Sequence, residues 1–527
     1  MAEEKKSRLH ILKPIIERWP AVSKPEGHVT FRTKIMWTIT CLTLYYILTN
    51  IMIFGLEPGT IDLFEQYRFI MAGASGSIMH LGIGPIVTAS IILQLFVGAK
   101  IINLDLTKKE DKAIYQGTQK ILVVVMIVVE AVPQIFGYLV PSGKGVFIET
   151  GQLTSGLYGL VGSGWAEAVI VIQLCLGAFL VFFMDELISK WGIGSGISLF
   201  IAAGVSQSLF TGLFSWLPVQ GGGLAALSLT NPPGGVIPGT YFMATHMSLS
   251  EVMGGGYQIM FMGSPQIRYE NAIVPLLGTI LIFFIVVYAE SSRIELPLAH
   301  GKVRGARGRY PIRLIYASNI PVILMAALLA NINMFALLLW RAGGKVPLLG
   351  GQWWVGKYDL SVGTQALAGG AWYLSSPGGV NSWLLPILAG GYGGHAPWQF
   401  AIKVILYLSV MIFGSVLFAK FWIETTNMGP TAVAKQIQSS GMQIPGFRRD
   451  PRVLRKVLER YIPVVTVIGG AAVGALAGFA DCIGTLGKAS GTGVLLTVGI
   501  IIHLYEDIAK EQAMEMHPVL RGFFGND

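Results

Sequence analysis

Apolar windows of roughly twenty residues recur along this chain from end to end, the length a helix needs to cross a bilayer core of about 30 Å. Lipid offers the backbone no hydrogen-bond partners, so a chain of such windows must fold into helices that satisfy their own N–H and C=O groups. Ten spans are expected: Ile35–Leu56, Pro85–Ile102, Ile121–Val140, Ala166–Leu187, Gly196–Leu217, Ala272–Ala289, Leu314–Trp340, Phe400–Trp422, Tyr461–Phe479 and Gly491–Leu504, the last continuing helical through Ile508. Only 13% of the residues are charged, about half the roughly 25% usual in soluble domains, which argues for an all-α polytopic membrane protein.

Ten is even, so both termini share a side. With these spans, thirty of the 38 Lys and Arg residues fall on one side and eight on the other. The positive-inside rule makes the crowded side, and both termini, cytoplasmic. The same asymmetry absorbs the net charge of +9, so nucleic acid need not be invoked. Residues 1–34 form a cytoplasmic segment with no apolar core, so no cleavable signal peptide is expected. Within it Leu9–Trp19 is amphipathic and suits a membrane interface. The three cysteines, Cys41, Cys175 and Cys482, lack paired spacing and read as apolar fillers.

Between the first two spans the pattern changes. Phe64 to His80 is only mildly hydrophobic, carries Glu65 and Arg68, and contains the small run Ala72 to Ser77. Gly82-Ile83-Gly84-Pro85 then ends one element and starts another, because proline fits a first turn and glycine permits the bend. A half-inserted segment persists at membrane depth only inside protein or beside a water-filled cavity, so this stretch points to a pathway. A loop lying outside on the surface would leave the same pattern.

Spans fall five and five, in halves 35–217 and 272–506, compatible with an internal pseudo-repeat. An outer loop, 218–271, separates the halves; a second lies at Arg341–Gln399, and both are rich in Gly, Pro and aromatic residues. The longest cytoplasmic loops are 292–313 and 420–460, with a tail from 507 to 527. No HExxH, nucleophile elbow, P-loop or metal-ligand spacing occurs, so neither catalysis nor a cofactor or metal is expected. Ion-coupled transporters generally bury several ionisable groups; here Glu130 alone stands mid-span, while Asp185, Glu186, Glu290 and Glu424 lie at cytoplasmic helix ends within reach of water. Glu130 fits a functional role or a helix–helix hydrogen bond equally well. A pore for large, variable cargo would need smooth apolar walls instead of fixed charges.

The runs LGIGPIVTASIILQL (81–95), DELISKWGIGSGISLFIAAGVSQ (185–207), ELPLAHG (295–301), RGRYPIRLIYASNIPVIL (307–324) and GTGVLLTVGI (491–500) resemble the SecY family of protein-conducting channels, its archaeal branch most closely. The resemblance implies two pseudo-symmetric five-helix halves around an hourglass pore, with a short re-entrant plug helix over 64–80 that includes Phe64, Arg68, Ala72, Gly76 and His80. It implies a pore ring of Ile83, Val87, Ile197, Ile201, Ile323 and Leu496, bulky aliphatics that gate ions by dewetting. It implies a lateral gate with Thr88, Glu130 and Asn331 at the seam between the second and third spans and the seventh and eighth, and a seventh helix loosened by Pro321. Ribosome docking would fall to Arg304, Arg307 and Arg309, with Arg448 and Arg449, since guanidinium meets phosphate bidentately. Two small single-span subunits, a translating ribosome and nascent chains are the implied partners, in the plasma membrane. A secondary transporter for a small solute is the second reading, and a scaffold or insertase without an aqueous path the third.

Overall fold

The computed structural model describes residues 8–516 except 57–70, 105–107, 143–155, 219–225, 264–270, 301–306, 314–318, 344–350, 359–365, 444–450 and isolated positions or pairs between them. Long helices stand at all ten expected places: α1 Phe31–Asn50, α2 Gly84–Gly98, α3 Lys109–Gly137, α4 Trp165–Trp191, α5 Gly196–Phe214, α6 Ile273–Ser291, α7 Ile320–Ala342, α8 Pro397–Thr425, α9 Pro451–Ile483 and α10 Gly491–Met516. Eight of these are long and apolar enough to cross a membrane. The exceptions are α1, diluted by five threonines, and α2, whose 15 residues reach only about 22 Å at 1.5 Å each. Buried turns over 72–83 precede α2 and supply the missing depth, since irregular backbone is tolerated there when protein encloses it.

Boundaries differ from the apolar windows where polar turns extend a helix past the lipid. α3 starts twelve residues before Ile121, and α9 ten before Tyr461. At 33 residues α9 is about 50 Å long and projects beyond the bilayer, where Leu454, Leu458 and Ile462 bury against the helix Pro430–Ser439. α7 starts six residues after Leu314, with Pro321 in its first turn. Proline there costs no helical hydrogen bond, so Pro321 begins the helix instead of loosening it.

α1 to α5 pack among themselves, as do α6 to α10, with α8 laid along α9. The two groups meet along two seams: α2 and α3 against α7 and α8, and α5 against α10. Two small sheets add to the expected helical fold. One orders its strands β2-β1-β5, where β1 is Arg293–His300, β2 Arg307–Arg313 and β5 Met442–Gln443; the other pairs β3 Lys357–Tyr358 with β4 Ala366–Ala368. Within the second outer loop Trp372 stacks on His395 at 4.0 Å, beside Phe400 and Tyr358, whose phenol pKa burial pushes up. Residues Arg8 to Glu17 dock on α3 rather than standing free, with Lys13 on Glu110, His10 on Asp111 and Ile16 over Gly117. All three cysteines are free.

Candidate functional site

The six aliphatics expected to form a ring belong to one contiguous apolar cluster that runs through both helix groups, five of them buried in it and Ile197 packed against it. α2 brings Val87, with Ile83 one residue ahead of it; α5 brings Ile197 and Ile201; α7 brings Ile323 and α10 Leu496. Ile83, Ile201 and Leu496 are fully sealed, Val87 and Ile323 nearly so, while Ile197 sits at the margin. Leu495 is as buried as Leu496, so burial does not choose between them.

Beside this cluster lies the end of the interrupted segment. Phe64 and Arg68 fall outside the described residues. From Ala72 to His80 the chain forms turns, not the helix expected there. Ala72 holds φ +46°, the only positive φ outside glycine among the described residues, and its carbonyl accepts a 2.7 Å bond from the buried Tyr45 hydroxyl of α1. Tyr45 in turn stacks on Phe200 of α5 at 4.9 Å. Gly76 donates its N–H to His80 Nδ1 at 2.9 Å, closing a tight loop. Ile53 N–H bonds Gly76 O at 2.8 Å and Ile78 N–H bonds Ile51 O at 2.9 Å, tying the turns to the end of α1. Two glycines make the fit possible. A Cβ on Gly82, at φ +53°, would lie 1.9 Å from Met71 O, and one on Gly177 would lie 1.9 Å from Ile78 O. Tyr45→Phe strands the Ala72 carbonyl in a sealed site, a loss of about 1–3 kcal/mol. The expected result is faster hydrogen exchange at Ile53 and Ile78, with α8 and α9 unchanged.

Thr88, Glu130 and Asn331 gather at the first seam. Asn331 Nδ2 donates to Thr88 Oγ1 at 3.1 Å, across from α7 to α2, and Thr88 also bonds Gly84 O at 3.0 Å. The Glu130 carboxylate reaches over from α3 to the Thr88 hydroxyl and lies against Gly84, where a Cβ would sit 3.1 Å from Oε2. Glu130 is sealed, and its Oε1 has no hydrogen-bond partner among the described residues. One neutral hydrogen bond across two helices holds them by about 0.6–2 kcal/mol.

Further polar groups are more enclosed than the sequence reading placed them. Glu290, expected in water, is buried and accepts a 3.0 Å bond from Asn319, the residue before α7, over Gly499 of α10. Glu186 is also buried, paired with Lys120 of α3 and with Lys190 at 2.8 Å. Asp481 was not singled out at all, yet it joins α8, α9 and α10: it accepts from Tyr407 Oη at 2.7 Å and from Thr492 N and Oγ1 at 3.0 and 2.7 Å. Its signal was legible as an acid closing an apolar run just before Thr485, Ser490 and Thr492. Among the described residues no three His, Cys, Asp or Glu side chains converge as a metal site.

On the basic side the loop 292–313 is a β-hairpin. Arg307 and Arg309 take alternate positions of β2, opposite Ala299 and Pro297, and β5 from the second basic loop pairs with the same β1. The two loops expected to act together are therefore joined by one sheet. Arg304, Arg448 and Arg449 lie outside the described residues.

Helices in two groups of five, closed on a greasy centre beside an irregular buried segment, define a multi-pass membrane protein built around a central path. Comparison with known proteins sharpens that class. A SecY profile matches residues 77–505, and a profile of the plug domain of Sec61p matches 44–76, taking in Phe64, Arg68, Ala72 and Gly76 and stopping short of His80. The protein translocase subunit SecY of Haloferax volcanii is 47% identical over 98% of this chain and 99% of its own length. A solved protein-conducting channel superposes with a TM-score of 0.72 at 39% identity, covering 96% of this chain and 98% of its own. Sec61 in a canine ribosome–channel complex from the endoplasmic reticulum gives 0.70 at 39%, with the same coverage. The chain belongs to the SecY family of protein translocation channels.

Proposed function

We infer that this chain is the pore-forming subunit of a protein translocation channel, passing unfolded secretory polypeptides across the membrane and releasing transmembrane segments sideways into lipid. The observation that supports the reading is that aliphatics from α2, α5, α7 and α10 share one apolar cluster with Ala72, Met79 and Leu81 of the turns 72–82. Ile83, Val87, Ile197, Ile201, Ile323 and Leu496 act as a gasket that grips no side chain and excludes ions by dewetting. Residues 64–80 stopper it. The Thr88–Asn331 bond, with Glu130 behind it, latches the seam through which an apolar helix leaves. A small-solute transporter would instead need polar ligands at this centre.

Arg307 and Arg309 on the hairpin, with Arg304, Arg448 and Arg449, offer a docking surface to ribosomal RNA, and a translating ribosome supplies the driving force. Two small single-span subunits complete the channel, which sits in the plasma membrane with both termini in the cytoplasm. A photoreactive residue in place of Ile83 or Ile323 tests the whole reading. It should crosslink to a stalled nascent chain on a bound ribosome, while the same probe replacing Ile280, on the exposed face of α6, should not. Equal crosslinking at all three positions, or none at Ile83 and Ile323, sinks the proposal.

A further inference from the structure

The stretch between α5 and α6 has the wrong composition for a loop in water. From Trp191 to Ser250 the chain carries no Asp, Glu, Lys or Arg. After α5 the backbone turns back on itself, with Gly235 N–H on Ser215 O and Gly234 N–H on Leu217 O, both at 2.8 Å. That return starts the 11-residue helix Val236–His246, which packs on α5 and on the short helix Tyr257–Met262; the latter packs on α6. The inner side of the longer helix buries Val236, Pro238, Gly239 and Met243.

Its other side should be polar throughout if water covers it; instead it is apolar or aromatic at Ile237 and Tyr241 and turns polar only at its end, with Thr245 and His246. Ile237 and Tyr241, one turn apart, are 47% and 63% exposed. Trp216, Leu217 and Phe261 beside them are exposed to a similar degree. This surface runs on from the exposed Phe210 and Phe214 of α5 to Leu277 and Leu281 of α6, faces that a chain spanning a bilayer turns to lipid. An apolar helix face rimmed by Trp and Tyr matches the amphipathic zone between headgroups and acyl chains, where indole and phenol rings are most favourable.

We propose that the helix Val236–His246 lies in the membrane interface, its Ile237–Tyr241 face covered by lipids of the leaflet that meets the outer ends of α5 and α6. The element is then a monotopic flange beside these two spans, not a free loop. The inference needs only that the chain spans a bilayer, so it stands or falls apart from the translocation reading.

Full-length protein in liposomes tests it, with a solvatochromic fluorophore on Ile237→Cys, on Tyr241→Cys and on Ser250→Cys, which is exposed next to Glu251. Native Cys41 and Cys482 are buried, and a Cys175→Ala background removes the remaining partly accessible thiol. Lipids carrying a doxyl group near the headgroup should quench the labels at 237 and 241 several-fold more than the label at 250. Aqueous iodide should quench in the opposite order. Iodide quenching alike at all three sites, without doxyl quenching, overturns the proposal in favour of a hydrated loop. Protection of 237 and 241 from both quenchers overturns it in favour of cover by protein or by a second copy. A Trp216→Phe variant gives a thiol-independent check: doxyl lipids should quench less of its tryptophan emission than of the wild type's.

Discussion

Asp481→Ala should lower stability by about 3–5 kcal/mol. The carboxylate is sealed at the end of α9 and holds three donors: the Tyr407 hydroxyl of α8 and the amide and hydroxyl of Thr492, second residue of α10. Alanine leaves all three unpaired in a buried site, each costing about 1–3 kcal/mol. It also uncaps a helix N-terminus, whose amides and dipole favour a negative partner. The cost is lower than the summed losses because α10 can shift to regain part of these bonds. Thermal unfolding in detergent measures the drop, and hydrogen exchange should localise it to the start of α10. Asp481→Asn keeps an acceptor for Thr492 and should recover roughly half. An unchanged unfolding temperature for the alanine variant would mean that these bonds are replaced elsewhere.

Asp481 has a counterpart that makes the internal repeat visible. Asp185, near the end of α4, accepts a 2.9 Å bond from Ile197 N, second residue of α5, as Asp481 does from Thr492 N in α10. Each capped helix starts with glycine, and each glycine is pressed on the preceding helix: a Cβ on Gly196 would meet Asp185 Cα at 2.6 Å, and one on Gly491 would meet Ala480 C at 2.1 Å. Five residues beyond these glycines stand Ile201 and Leu496. Similarly, α2 and α7 both carry proline in the first turn, follow a residue with nearly the same dihedrals (Ile83 at −88°, 0° and Asn319 at −85°, −3°), and place Val87 and Ile323 two residues past the proline. Four of the six proposed ring positions are thus equivalent in pairs, and the repeat favours Leu496 over its neighbour Leu495.

This explains how much the chain disclosed. Spans were legible because lipid imposes one length and one composition, and the positive-inside bias agreed with their count. The repeat was not, because it resides in caps and first turns a few residues long amid interchangeable aliphatics. The hairpin β1–β2 was missed because its basic residues read as a cytoplasmic loop, and the third strand that joins it, β5, lies far away in sequence. The turns 72–80 were taken for helix on the family resemblance. What decides against it is tertiary, namely the Tyr45 bond to Ala72 O and the return of Ile78 to Ile51 O. Ile83 and Ile323 could be chosen from dozens of membrane aliphatics only through family resemblance, since nothing in a side chain's identity says which cavity it faces.

Replacing Ile83, Ile201 and Ile323 together by serine should raise ion leak through reconstituted channels by roughly thirty-fold. The three side chains come from the region of three different helices and are buried in one cluster. A constriction walled by aliphatics excludes water because it offers no hydrogen bond, and an ion that cannot keep its hydration shell does not enter. Serine removes the methyl and methylene groups that fill the gap and adds hydroxyls that cost about 1–3 kcal/mol each if left unbonded, so the variant recruits water. A net shift of only about 2 kcal/mol toward the hydrated state corresponds to that thirty-fold factor, because 1.4 kcal/mol is a factor of ten. Leucine at the same three positions serves as the control, since it keeps the volume and apolarity and should leave the seal intact. The readout is conductance in planar bilayers, measured with Tyr45 intact and then as Phe. If the turns 72–82 form a second barrier in series, the serine channel should leak more once Tyr45 no longer holds Ala72. A serine variant as tight as wild type in both backgrounds would place the ion barrier elsewhere and remove these residues from the pore.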